Sequence, residues 1–277
     1  MHFWPTVPYP TNPVLEHDLR RIRWSPAALT RFVNVTAIWA ATITFMICAG
    51  IVGYPQSYYG SLINRMAALL FLGVSIAFGL GADLYYGMLP IGGIQREIAG
   101  GHWDLVRFSL LNPADILAAK FRVAFLRSTR LLLVEIALRA IAGVPLCCLF
   151  VLAIVNSYAN QSDVSLMEFA ILCLGLAGFL SEPLLRRWTL LWTGIALAME
   201  TRDHAAASFL VIITALGLRL AQFTLLIGVL IIVSILSMRD DLYLLMIPVA
   251  LAGGALDYLL YRSIGAYMES HAQARMR

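Results

Sequence analysis

Charge is what this sequence has least of. Asp, Glu, Lys and Arg together make up 13% of its 277 residues, while 60% are hydrophobic and mean hydropathy is +0.80. A soluble domain of this size carries far more charge, so the class is integral membrane protein. Lysine is scarcer still: Lys120 stands alone against nineteen arginines. Cysteine is confined to Cys48, Cys147, Cys148 and Cys173, all inside apolar runs, with no CxxC pair and no histidine nearby. That argues against a disulfide framework or a metal site and for buried small apolar side chains. All five histidines (His2, His17, His102, His204 and His271) lie outside the apolar segments, which excludes a haem held by two intramembrane histidines. No HExxH motif, no facing aspartates across spans and no Ser/His pairing within spans is found, so no catalytic residue is assigned.

What is present is a series of apolar runs roughly 20–30 residues long, the length of membrane-crossing helices. Helices are one of only two structures that satisfy every backbone group in lipid. The fold expected is all-α integral membrane, with three parts: a cytoplasmic lead and interfacial helix over 1–31, a six-span domain over 32–262, and a basic cytoplasmic tail over 263–277. The spans are expected at about 32–53, 62–90, 131–155, 167–199, 205–236 and 242–262. The N-terminus does not read as a cleavable signal, because its first apolar run begins only after about 30 residues. Val14, Leu15, Leu19 and Ile22 share one helical face, with Arg20, Arg21 and Arg23 elsewhere, the pattern of a helix lying along the bilayer surface.

Segment four is interrupted by SEPLLRRW, where Pro183 is expected to kink it; one span or two can be drawn there. Charge bias favours one. With six spans and the N-terminus inside, cytoplasmic segments hold fourteen Lys/Arg and outer segments two, Arg65 and Arg239. Both termini are then cytoplasmic. The net charge of +4 and pI near 9.0 read as basic loops facing an anionic leaflet of membrane lipids, not as a nucleic-acid surface. Ionisable residues within spans are costly. Glu135 and Arg139 are four apart on one helical face, as are Glu182 and Arg186, and each couple is a candidate intramembrane pair. Asp83 and Arg219 have no obvious local partner. Such charges read either as a polar translocation surface or lateral gate, or as paired charges that lock helices.

Between the second and third expected spans lies IQREIAGGHWDLVRFSLLNPADILAAK (94–120). Gly100-Gly101 allows a sharp turn, an amphipathic run follows, and Asn112-Pro113 is a helix start, Asn as cap and Pro at the first position. A short amphipathic helix at the membrane surface either anchors the loop or docks into a groove on a soluble partner.

This stretch resembles the cytoplasmic loop of type-2 ATP-binding-cassette (ABC) transporter permeases, which show E-R-E, glycine-threonine, an aromatic-acidic-leucine stretch, T-P-L-S-P and a lysine after the helix start. Here stand Gln95-Arg96-Glu97, Gly101-His102, Trp103-Asp104-Leu105, Ser109-Leu110-Leu111-Asn112-Pro113 and Lys120. Gln95, His102 and Leu110 depart from the pattern, and the gap after Glu97 is slightly wider. Asn12-Pro13-Val14-Leu15 with Asp18-Leu19-Arg20-Arg21 is similar to the family's N-P-V-L…E-L-R opening, with Asp18 in place of Glu.

The resemblance implies a permease subunit of an ABC-type exporter in a prokaryotic inner membrane. Such a subunit is not itself an enzyme. Its cofactors, ATP and Mg, would sit on a partner ATPase subunit, consistent with the lack of a GxxxxGK phosphate loop in this chain. A second permease chain, identical or related, is also implied. The coupling residues implied are Arg96, Glu97, Gly101, Trp103, Asp104, Asn112, Pro113 and Lys120, with the turn Glu200–His204 as a second contact. A structural subunit of a redox or photosynthetic membrane assembly and a membrane enzyme are the alternatives from other classes.

Overall fold

The computed structural model describes residues 13–21, 25–53, 58–101, 103, 112–158, 166–201, 203–237 and 246–276. Among the described residues the chain is helical, without strands: α1 (Pro13–Arg21), α2 (Pro26–Gly53), α3 (Tyr58–Ala99), α4 (Pro113–Tyr158), α5 (Leu166–Glu200), α6 (His204–Ser237) and α7 (Met246–Met276). Four of these are long and apolar enough to cross a membrane, over Ala27–Val52, Met66–Ala99, Pro113–Leu149 and His204–Ile235. The expected fourth and sixth spans fall on α5 and α7. These are helical too, but Glu182, Arg186 and Arg187 in α5, and Asp257 and Arg262 in α7, interrupt their apolar runs.

Local chemistry sets the helix ends. Asn112 Oδ1 accepts the Ala114 N–H at 3.1 Å, and the Asn112 carbonyl accepts from Asp115 and Ile116 at 2.9 and 3.2 Å, with Pro113 at the first helical position. Gly101 closes α3 at φ 68°, a conformation that costs a residue without Cβ little. One feature differs from the sequence expectation. α3 runs on through Pro90 to Ala99, because Ile91 and Ile94 beyond the proline are fully buried in the core and hold the helix in register. α5 passes Pro183 as one helix, as the charge bias favours. At 46 residues, α4 is about 69 Å long, more than twice a hydrocarbon core of about 30 Å, so its basic first half extends beyond any apolar layer.

α5 is the centre of the bundle, packed against α3, α4, α6 and α7, while α2 lies on α4 and α3 and α1 on α4. α2 and α4 run parallel, since Arg130 stands over the Phe32 ring and Cys48 Sγ is 3.5 Å from Cys148 Sγ. The outer faces of α2 and α6 expose large apolar side chains, among them Trp39, Phe45, Phe209 and Ile227. In lipid, apolar surface gains little by leaving its solvent, so close backbone approach carries more of the packing. The α3–α5 contact shows it: a Cβ at Gly194 would stand 2.1 Å from the Gly87 carbonyl oxygen and 2.8 Å from Pro90 Cγ. Gly194→Ala is therefore expected to cost about 1–3 kcal/mol, while Gly81→Ala, whose Cβ would meet nothing within 4 Å, leaves thermal unfolding in detergent unchanged. Equal melting of the two variants would show that this contact tolerates separation.

Candidate functional site

Two polar constellations stand out. The first lies inside the bundle. Glu135 and Arg139 of α4 meet at 3.2 Å, and Arg186 of α5 bonds Glu182 on its own helix. The two couples do not stay separate. Arg139 Nη2 is 2.5 Å from Glu182 Oε2, and Arg186 also bonds Glu135 and Asp83. Arg219 of α6 reaches Asp83 at 2.6 Å and Glu182 at 3.5 Å. Three carboxylates thus face three guanidiniums across α3, α4, α5 and α6, all in buried positions. Tyr86 donates to Glu135 at 3.2 Å, and Gln222 Oε1 accepts from Arg219 and from Tyr261 of α7, both at 3.1 Å.

Pro183 belongs to this network. A proline at 183 has no N–H for the carbonyl four residues back, which is that of Phe179, and Arg139 Nη1 donates to that oxygen at 2.6 Å. The Arg139 guanidinium also sits 4.8 Å above the Phe179 ring. Gly79 makes room for the cluster, since a Cβ there would lie 2.8 Å from Arg219 Nη2. One turn along α5, Arg187 bonds Ser128 Oγ, Thr129 Oγ1 and the Phe125 carbonyl.

The second constellation is at one end of the bundle. Lys120 Nζ donates to Asp18 of α1 at 2.8 Å and to Glu97 of α3 at 2.5 Å, with its side chain 9% exposed. Gln95 Nε2 donates to the carbonyls of Ala198 and Thr201 at 2.8 and 2.5 Å, satisfying the C-terminus of α5. Glu200 in turn meets His271 and Arg275 of α7, both at 3.4 Å. The end of α3, the start of α4, α1, the α5–α6 turn and the end of α7 therefore share one face of the protein.

The residues singled out from sequence divide accordingly. Lys120 and Glu97 are in direct contact; Asn112 and Pro113 start α4; Gly101 ends α3; Arg96 is exposed. Trp103 packs against this chain's own core, the cluster that contains Ile94 and Ile116, so it is less free to anchor a partner than its place in the motif suggests. Asp104 and the amphipathic run to Leu111, like His102 and Arg202, lie outside the described residues. Sequence reasoning left Asp83 and Arg219 unpaired and did not single out Arg187 or Gln95 for these roles. The available signal was the opposite sign of two lone charges in apolar helices. Comparisons with family models, with curated proteins and with solved structures find no match for the chain.

A buried network that loses one member leaves its neighbours uncompensated. Arg186→Gln leaves three carboxylates against two guanidiniums and is expected to cost about 3–5 kcal/mol. Adding Glu135→Gln restores neutrality and should recover part of that loss in thermal unfolding. Strictly additive losses would mean that these side chains do not interact.

Proposed function

We propose that this chain is the membrane-spanning permease subunit of an ABC-type exporter, with six spans and both ends cytoplasmic, coupled to a separate ATPase subunit. The observation that carries the reading is the convergence on Lys120. The resemblance rests on two segments far apart in the chain, one around Asp18 and one around Glu97–Lys120, and their charged members bond one another directly. A loop that must transmit motion from an ATPase needs a stiff attachment to the spans, and a largely buried lysine held by two carboxylates from other helices supplies one. The Gln95 bonds to Ala198 and Thr201 tie the same loop to the α5–α6 turn, the second contact the resemblance implies. On this reading ATP and Mg are bound by the partner, the exposed Arg96 faces it, and the apolar outer faces of the bundle meet lipid or a second permease chain.

Two measurements follow. In a background lacking the four native cysteines, Ser57→Cys and Asn160→Cys should label from outside intact cells and Ala99→Cys should not; outside labelling at 99 contradicts the orientation. Purified in mild detergent from its own membranes, the wild-type chain should carry a nucleotide-binding ATPase. Arg96→Glu, at an exposed residue, should lower its recovery several-fold without shifting the melting temperature. Absence of any ATPase from the wild-type preparation would sink the permease reading and favour a structural role in another membrane assembly.

A further inference from the structure

We infer that the cavity beside the Lys120 triad binds an anionic amphiphile, a phosphate-bearing head group joined to an acyl tail. The cavity measures about 690 Å³ and is walled by α3 and the first half of α4, with Asp18, Ser25 and Leu29 completing it. That volume falls in the range of sites that hold small molecules, about 300–1,000 Å³. It is elongated along the helices: Tyr85 and Glu97 both line it, and twelve residues of α3 span roughly 18 Å.

Its wall has two chemistries. Arg96, Lys120, Arg127 and Arg130 face Asp18 and Glu97 around it. Lys120 is committed to both carboxylates, which leaves three guanidiniums. Arg130 rests over Phe32; Arg96 and Arg127 are exposed and have no ion pair among the described residues. Guanidinium is the side chain whose fork matches a phosphate. Glu97 Oε2 has no hydrogen-bond partner among the described residues and is an acceptor for a head-group hydroxyl. Apart from Ser25 and Tyr85, the rest of the wall is apolar, through Leu29, Met88 and Val123, or bare backbone at Gly92 and Gly93, where an added Cβ would meet nothing within 4 Å. Free phosphate would use only the arginines; a wall that joins a patch of arginines to an apolar stretch suits a ligand built the same way. The site requires no ATPase, so its fate is separate from that of the transport reading.

The test uses the full chain in mild detergent, offered phosphatidylglycerol, phosphatidylcholine of the same acyl chains, or inorganic phosphate, and read by native mass spectrometry. One phosphatidylglycerol should be retained with about tenfold preference over phosphatidylcholine, and millimolar phosphate should not displace it. Arg127→Gln with Arg130→Gln should abolish the preference. Gly93→Leu should remove the bound lipid with every arginine still present and melting unchanged, since a Cβ there meets nothing within 4 Å and the longer side chain would take up cavity space. Equal retention of phosphatidylcholine overturns the proposal, as does displacement by phosphate alone. Retention that survives Gly93→Leu also overturns it, because the attraction would then belong to the basic surface and not to the cavity.

Discussion

The bundle depends on Arg186 finding three carboxylates at once. A guanidinium in the middle of an apolar bundle is tolerable only if its donors are occupied and its charge is matched, and Asp83, Glu135 and Glu182 come from three different helices to do so. This demand gives α5 its central position. A helix carrying Glu182, Arg186 and Arg187 cannot turn that face to lipid, so α3, α4, α6 and α7 surround it, while α2, charged only at Arg31 near its start, and much of α6 turn apolar faces outward. The same cluster accommodates Pro183, whose missing N–H frees the carbonyl that Arg139 uses.

The polar interactions at the end of the bundle are of a different kind. They connect pieces that are separate in sequence: α1 to α4 through Asp18, α3 to α5 through Gln95, α5 to α7 through Glu200. The interior network therefore holds the helices to one another, and the end contacts hold the connecting segments to the helices. On the proposed permease reading, a push reaching the end of α3 would pass into α4 through Lys120 and into α5 through Gln95.

Much of the local structure was legible in the sequence. Asn112-Pro113 announced the start of α4 and Gly100-Gly101 the end of α3, because capping and left-handed turns depend on one or two residues. The four-residue spacing of Glu135/Arg139 and Glu182/Arg186 announced contacts within a helix. Beyond one helix the signals fade. Asp83 and Arg219 are 136 residues apart, and no spacing rule links them. Pro90 looked like an end because a proline removes a hydrogen bond, yet the burial of Ile91 and Ile94 outweighs that loss. Trp103 looked like an outward anchor because amphipathic patterning says that a face is buried, not against which partner. Length and hydropathy marked six segments, while the charges within α5 and α7 leave four, among the described residues, that are apolar enough to cross on composition alone.

The permease reading is tested most directly by photo-crosslinking in intact cells from a photoreactive side chain at position 96, with the captured chain identified by mass spectrometry. The account predicts capture of a nucleotide-binding ATPase subunit, lost when the photoreactive group is moved to the exposed Trp39 on the outer face of α2. Capture of lipid alone, or of proteins without a nucleotide-binding fold, would contradict it.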